Sequence, residues 1–278
     1  MAIVDIPHKY IQVIDCHNTV IVNHCPFAKK DEATTLKIDD DFYLVPRTGE
    51  VKKYNKSEVK IDNLHSLRKS FNRLKTVINC NYDDPASIRF ITLTYAENMT
   101  DNKRLSRDLE HFWRNMKRRY GQFEYIYVKE KQQRGAWHIH AILFFPGKAP
   151  FMENSEANHP VRDAWGHGFV NVRAFRSDIN NLGNYLCAYL TDDYKNSKKG
   201  ARLENYESGI RLFNCSKGVK RPEVKEVSYE DYLALCSSPG LLLVSESETF
   251  IDIGTDEKSF SLTRQIFAKD PKFSSLKS

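Results

Sequence analysis

The sequence of 278 residues has few cysteines, no long hydrophobic run and no nucleotide-binding loop. Its six cysteines contain no C-x-x-C pair, which argues against a disulfide scaffold or a zinc knuckle and favours a reducing compartment. No apolar segment approaches the ~20 residues of a membrane-spanning helix, and residues 1–10 lack the apolar stretch of a signal peptide. The G-x-x-x-x-G-K-[ST] pattern of ATP-driven motors is also missing. We therefore expect a cytoplasmic protein with no membrane partner and no nucleotide cofactor.

The composition is that of a globular protein. Hydrophobic residues make up 41% and charged residues 28%, which excludes wholesale disorder. The net charge of +6 is concentrated: residues 101–120 carry a net +4 and residues 195–225 a net +6, so the remainder is net −4. This distribution indicates a patch for a polyanion such as nucleic acid, although solvated helix faces and a loop would give the same pattern.

Hydrophobic periodicity and turn residues predict an α+β protein. From residue 89 the elements run β-α-β-β-β-α without regular crossover helices, which favours an antiparallel sheet with helices on one face. We divide the chain into an N-terminal region at 1–80, a central domain at 81–225 and a C-terminal α/β extension at 226–278. Predicted helices cover 63–79, 103–120, 178–192 and 229–236, and 195–225 is predicted as a basic loop. Predicted strands cover 10–13, 19–22, 42–45, 89–95, 125–130, 137–145, 169–173, 241–244 and 249–253.

The strand at 137–145 contains a His-x-His pattern. Alternate side chains of a strand share a face, so His138 and His140 point the same way. If the strands at 125–130 and 137–145 form a hairpin, Glu130 lies beside this pair. Two neutral imidazoles and a carboxylate suit Mg²⁺, Mn²⁺ or a similar divalent ion. Two hydrogen-bonded histidines without a metal are the alternative, and a cupin-like oxygenase lacks its further ligands here.

The helix at 178–192 carries two tyrosines at helical spacing. Tyr185 and Tyr189 lie four residues apart and therefore share a face, on the flank of an apolar stripe. A tyrosine hydroxyl is a weak nucleophile at neutral pH, but a divalent ion on a phosphodiester makes the phosphorus more electrophilic. A metal site and nearby tyrosines would form a DNA-nicking centre, whereas an aromatic pair bordering the core is the simpler alternative.

Three motifs in this order resemble the HUH endonucleases, specifically the rolling-circle replication initiators (Rep proteins) of small plasmids and phages. Phe90-Ile-Thr-Leu-Thr-Tyr95 is similar to the first motif, Glu130 with Trp137-His138-Ile139-His140 to the metal-binding motif, and Tyr185-Leu-Cys-Ala-Tyr189 to the two-tyrosine motif. Two further stretches, Trp165-Gly-His-Gly-Phe169 and 211–222, also look like this family. The resemblance covers about 89–222 and implies the ferredoxin-like Rep nuclease fold.

The resemblance also implies a mechanism and partners. His138, His140 and Glu130 would bind Mg²⁺ or Mn²⁺, and Tyr185 or Tyr189 would attack a single-stranded or hairpin origin DNA. The products would be a 5′-phosphotyrosine and a free 3′-OH primer, and a host helicase and DNA polymerase would then act. Basic side chains of the 103–119 helix and the 195–221 loop would grip the DNA backbone: Arg104, Arg107, Arg114, Lys117, Arg118, Lys195, Lys217, Lys220 and Arg221.

Other functions share parts of this pattern. Family members often carry lysines where this sequence has Ala188 and Asp192, which affects the assignment of the tyrosines. An insertion-sequence transposase has the same order of histidines and tyrosines, and a non-catalytic DNA-binding regulator on the same fold would form no covalent adduct. An RNA-binding α+β domain would expose aromatic side chains on its sheet, where this sequence places histidines.

Overall fold

The computed structural model describes residues 10–16, 18–25, 35–46, 48–54, 64–81, 84–174, 210–252 and 259–270. Among these residues, no helix is both long enough and apolar enough to span a bilayer. The helices, in chain order, are α1 (Leu64–Cys80), α2 (Asn102–Tyr120), α3 (Pro160–Trp165) and α4 (Tyr229–Cys236). The strands are β1 (Tyr10–Asp15), β2 (Thr19–Cys25), β3 (Leu36–Lys37), β4 (Phe42–Val45), β5 (Glu50–Lys53), β6 (Ile88–Thr94), β7 (Glu124–Lys131), β8 (Trp137–Phe144), β9 (Val170–Ala174), β10 (Phe213–Cys215), β11 (Glu223–Val227), β12 (Leu241–Asp252) and β13 (Ser259–Lys269).

The chain folds into two compact units. The central unit is Ser57–Arg221, and the terminal unit combines Met1–Lys56 with Pro222–Ser278. The sequence analysis placed its boundaries at 80/81 and 225/226 and treated the two ends of the chain as separate regions. In the structure, strands from both ends share one sheet, with the order β11-β1-β2-β13-β12.

The central unit is built on an antiparallel sheet with the order β10-β7-β8-β6-β9. The predicted α+β class with an antiparallel sheet is therefore confirmed. The strands predicted at 89–95, 125–130, 137–145 and 169–173 correspond to β6, β7, β8 and β9. The helix predicted at 178–192 lies outside the described residues.

The two faces of this sheet have different roles. On β8, Trp137, Ile139 and Leu143 point to one side and are buried, which we call the helix face. Its partner strand β7 presents Tyr125 on the same side, opposite Leu143, and Trp113 of α2 stacks on Tyr125 with ring centroids 4.2 Å apart. Helix α2 therefore packs on the helix face. The other side, which carries the histidines of β8, is the histidine face.

Helix α2 forms where capping and periodicity both predict it. The Asp101 side chain accepts hydrogen bonds from the backbone N–H groups of Lys103 and Arg104, so it satisfies two donors of the first turn. Gly121, with φ at 84°, ends the helix. Its buried stripe faces the sheet and consists of Leu105, Leu109, Phe112, Trp113 and Met116.

Three elements differ from the sequence predictions. The region 195–225 was predicted as a loop, but its described part contains β10 and β11. These strands are short and β11 is mostly charged, so only pairing with β7 and β1 identifies them. Helix α3 was not predicted, because its six residues begin at Pro160 and are too few for a periodic signal.

The C-terminal strand pair was predicted wrongly. Segments 241–244 and 249–253 were expected to pair with each other, but both belong to the single strand β12 up to Asp252. The polar residues between them suggested a turn, yet they lie at a sheet edge where polar side chains remain in solvent. The partner of β12 is the unpredicted strand β13. The predicted helix at 229–236 is confirmed as α4, with a capping box between Ser228 and Asp231.

Candidate metal centre

The strand register brings the predicted metal ligands together. His138 and His140 project from the histidine face of β8, and Glu130 on β7 lies directly opposite His138. Side chains opposite each other in an antiparallel pair share a face. The hairpin that the sequence predicted therefore exists, and it places the carboxylate beside both imidazoles.

The ligand atoms of these three residues are close enough for one ion. All of them lie within 4.8 Å of one another, and His140 Nε2 is 2.9 Å from Glu130 Oε2. Two ligand atoms at right angles around an ion with bonds of about 2.1 Å are separated by about 3 Å. The spacing of the histidine and the glutamate therefore matches that of two ligands on one divalent ion.

The environment keeps at least one imidazole neutral, as a metal ligand must be. Burial, together with the neighbouring His140, lowers the pKa of His138 to about 3. The two rings lie edge to face with centroids 4.5 Å apart, and His140 is only 4% exposed. Because His138 is neutral at physiological pH, its lone pair is available to a cation without competition from a proton.

Two threonines of β6 orient the imidazoles. The Thr94 hydroxyl hydrogen-bonds His138 Nδ1 at 2.8 Å, and the Thr92 hydroxyl hydrogen-bonds His140 Nδ1 at 3.3 Å. Their positions follow from the register, because Thr94 lies opposite His138 and Thr92 opposite His140. With Nδ1 of each ring occupied by a threonine, Nε2 remains for a metal, as in metal centres where outer-shell groups fix the tautomer.

Sequence reasoning missed the role of these threonines. It treated Phe90-Ile-Thr-Leu-Thr-Tyr95 as a core strand and a family motif. The available signal was the spacing: Thr92 and Thr94 alternate as His138 and His140 do. What the sequence did not reveal is that β6 pairs with β8 rather than with the strand next to it in the chain.

These four groups and Glu130 form a site that fits a divalent cation. Two imidazoles and one carboxylate provide three ligands and leave coordination positions for oxygens of a substrate or water. Among the described residues, Glu130, His138 and His140 are the group with metal-binding geometry. The donor set alone does not distinguish Mg²⁺ from Mn²⁺ or another divalent ion.

Several predicted functional residues lie outside the described residues. These are the tyrosines Tyr185 and Tyr189 and the basic residue Lys195. Their roles therefore stay predictions.

The predicted DNA-binding residues of α2 lie on the opposite side of the sheet from the metal ligands. Because α2 packs on the helix face, its outer surface is turned away from the histidine face. Arg104 is engaged by two carboxylates, Glu97 at 2.6 Å and Asp108 at 3.6 Å. Their role in DNA binding stays a prediction, and none of them is brought beside the metal ligands: Arg104, Arg107, Arg114, Lys117 and Arg118.

The second predicted basic cluster lies at the far end of β7. Lys217, Lys220 and Arg221 are exposed and follow β10, where the backbone N–H of Gly218 donates to Glu124 Oε2 at 3.1 Å. Glu124 begins β7 and Glu130 is six residues further on, so these ends are about 20 Å apart at ~3.4 Å per residue. This cluster is on the sheet that carries the metal ligands, but at a distance from them.

A comparison with protein-family models links the central unit to replication. Residues 88–194 match the model of a family described as replication-associated protein ORF2. The matched segment is less than half of the chain, and it contains β6 to β9, the three metal ligands and both predicted tyrosines. Searches of curated proteins and of solved structures found no match. The family match supports a role in replication initiation and is consistent with a Rep-type protein.

Proposed function

We propose that this protein nicks and rejoins single-stranded DNA to initiate rolling-circle replication, in a metal-dependent reaction with a tyrosine nucleophile. The observation that carries the proposal is the cluster of Glu130, His138 and His140, with Thr92 and Thr94 behind the histidines. This cluster lies inside the segment that matches a replication-associated family. A built cation site in such a segment supports phosphodiester chemistry more directly than DNA binding alone.

The chain's own residues would hold and orient the reacting groups. Glu130 supplies negative charge and the two imidazoles supply nitrogen ligands, while the threonines keep both rings in one tautomer. A bound divalent ion would polarise the scissile phosphate and stabilise the charge that develops on its oxygens. The sheet holds the ligands rigidly, because His138 and His140 are on a central strand that is paired on both sides.

The nucleophile in this proposal is Tyr185 or Tyr189, as the resemblance to two-tyrosine initiators implies. The phenolic oxygen forms a bond to phosphorus as its proton passes to solvent, and the bond from phosphorus to the 3′ oxygen breaks. That oxygen takes up a proton and becomes a free 3′-OH. The phosphotyrosine retains the energy of the broken bond, so rejoining needs no ATP.

The products define the expected partners. A free 3′-OH is a primer for a DNA polymerase, and strand separation ahead of it requires a helicase. The sequence has no Walker motif, so we propose that the host supplies both activities. The substrate must be single-stranded or extruded as a hairpin for its phosphate to reach a tyrosine.

The test is covalent adduct formation with a randomised single-stranded DNA library. We would incubate the full chain with the library with and without Mn²⁺, isolate adducts under denaturing conditions and sequence the attached DNA. We expect a Mn²⁺-dependent adduct that is lost in the double variant Tyr185→Phe/Tyr189→Phe. Tyr120→Phe, on α2, is the matched control and should leave the adduct unchanged.

The same experiment separates the alternatives. An adduct that persists without both tyrosines would refute the nucleophile assignment, and metal-dependent nicking by the double variant His138→Ala/His140→Ala would refute the metal assignment. Specific duplex binding without any adduct would identify a regulator. Transfer of the attached strand between insertion-sequence ends, rather than nicking at one origin-like sequence, would identify a transposase.

A further inference from the structure

The row of side chains at the metal centre continues onto the edge strand β9. Strand β9 pairs with β6, so Asn171 lies opposite Thr92 and Arg173 opposite Phe90. One step earlier, the Thr94 backbone N–H donates to the Phe169 carbonyl at 2.9 Å. Phe169, Asn171 and Arg173 therefore alternate along the histidine face, next to the threonines that orient the metal ligands. We call these three residues the β9 track.

The β9 track is exposed where its neighbours are buried. Phe169 is 62% exposed, whereas Val170 and Val172, which point to the helix face, are only 2% and 8% exposed. Arg173 is exposed and Asn171 half-buried. Within the described part of the chain, the Asn171 and Arg173 side chains make no hydrogen bond or ion pair. A large aromatic, an amide and a guanidinium thus face solvent in one line beside the cation site.

The Trp165-Gly-His-Gly-Phe169 motif fixes the start of this track. The Trp165 indole N–H donates to the Thr94 carbonyl at 3.1 Å, and the Ala96 backbone N–H donates to the His167 carbonyl at 2.8 Å. Gly168 has φ at 151°, and a Cβ there would lie 2.5 Å from the Thr94 carbonyl oxygen. The motif therefore lets the chain pass tightly against the end of β6, and it holds the backbone of Phe169 in place.

We propose that the β9 track binds the single-stranded DNA that enters the metal centre, with a base stacked on Phe169 and a phosphate on Arg173. This inference rests on the proposed function. Strand β9 is two strand spacings from β8, about 10 Å, so a strand with one phosphate at the metal ligands has neighbouring nucleotides over β9. Single-strand binding surfaces combine aromatic platforms with cationic groups in the same way.

The chemistry of the track selects an unpaired strand. In a duplex both faces of each base are covered by neighbouring pairs, so one fixed aromatic ring has no base face to stack on. In a single strand the base is free to stack, and every base has a suitable face. The Asn171 amide, between the two, offers both a donor and an acceptor to a base edge or a phosphate.

The test is the affinity of the full chain for fluorescently labelled oligothymidine, measured by anisotropy at several salt concentrations. We expect Phe169→Ala to weaken binding about 5- to 150-fold, the effect of losing one stacked base. Phe169→Trp should retain the affinity, because it keeps an aromatic platform. Phe151→Ala removes an 81% exposed phenylalanine elsewhere on this unit and is the matched control.

The charged end of the track has its own readout. Each lost phosphate contact with a single strand lowers the slope of log affinity against log salt by about 0.7. We expect this change for Arg173→Ala and a smaller one for Arg118→Ala, which removes the same charge from α2. Equal affinity of Phe169→Ala and Phe151→Ala, or a slope that changes for Arg118→Ala but not for Arg173→Ala, would overturn the proposal.

Failure of this inference is separable from failure of the proposed function. Mn²⁺ binding and adduct formation by the unaltered protein test the function, and neither measurement depends on the β9 variants. A protein that forms the adduct but binds oligothymidine equally well with alanine at 169 retains its function and refutes the track. Tighter, Phe169-dependent binding of oligouridine than of oligothymidine would refute DNA as the ligand.

Discussion

Replacing Thr94 by valine should weaken metal binding without removing a metal ligand. Valine has nearly the same shape as threonine but no hydroxyl, so His138 Nδ1 loses its 2.8 Å partner. Outer-shell hydrogen bonds to a ligating imidazole are worth about 10- to 100-fold in metal affinity, and we expect a loss in this range. Thr92→Val should cost less, because its contact with His140 is longer, at 3.3 Å.

The assay is titration of the apoprotein with Mn²⁺, followed by electron paramagnetic resonance of the free ion. Thr94→Ser retains a hydroxyl and should restore most of the affinity. Thr76→Val is a matched control, because the Thr76 hydroxyl bonds the Asn72 carbonyl within α1, away from the metal ligands. If Thr94→Val bound Mn²⁺ as tightly as the unaltered protein, the threonines would not orient the histidines, and this part of the reasoning would be refuted.

Three further predictions concern stability and the metal ligands. Because burial holds the pKa of His138 at about 3, the unfolded chain binds a proton near pH 5 that the folded metal-free protein does not. Stability should therefore fall by about 2 kcal/mol between pH 8 and pH 5, and less in His138→Gln; denaturant titrations that show no such difference would contradict this. Gly168→Ala should destabilise the protein by at least about 2 kcal/mol, because its Cβ would meet backbone atoms; an unchanged melting temperature would argue against the tight turn. Glu130→Gln should lower Mn²⁺ affinity in the same titration, and unchanged affinity would exclude the carboxylate as a ligand.

The sequence predicted the metal ligands well because they depend on local rules. Alternation along one strand places His138 and His140 on one face, and a hairpin between neighbouring strands brings Glu130 beside them. Both rules use residues that are close in the chain. The observed register, with Glu130 opposite His138, is the one that this reasoning required.

The parts that the sequence did not predict depend on pairing between distant segments. Strand β6 precedes β8 by more than forty residues, yet its threonines complete the metal centre. Strand β10 pairs with β7 across a similarly long separation, and β13 pairs with β2 from the opposite end of the chain. Charge alone was also insufficient, because it does not reveal that α2 packs on the face away from the metal ligands.

The register of β8 couples the core to the metal centre. Trp137, Ile139 and Leu143 are almost fully buried on the helix face, and His138 and His140 occupy the positions between them. A slip of one residue would move both histidines into the core and the apolar side chains into the metal centre. The apolar packing under α2 therefore holds the histidines in register, and no strained backbone is needed to present them. It follows that substitutions on the helix face that loosen this packing should reduce metal affinity, although they touch none of the ligands.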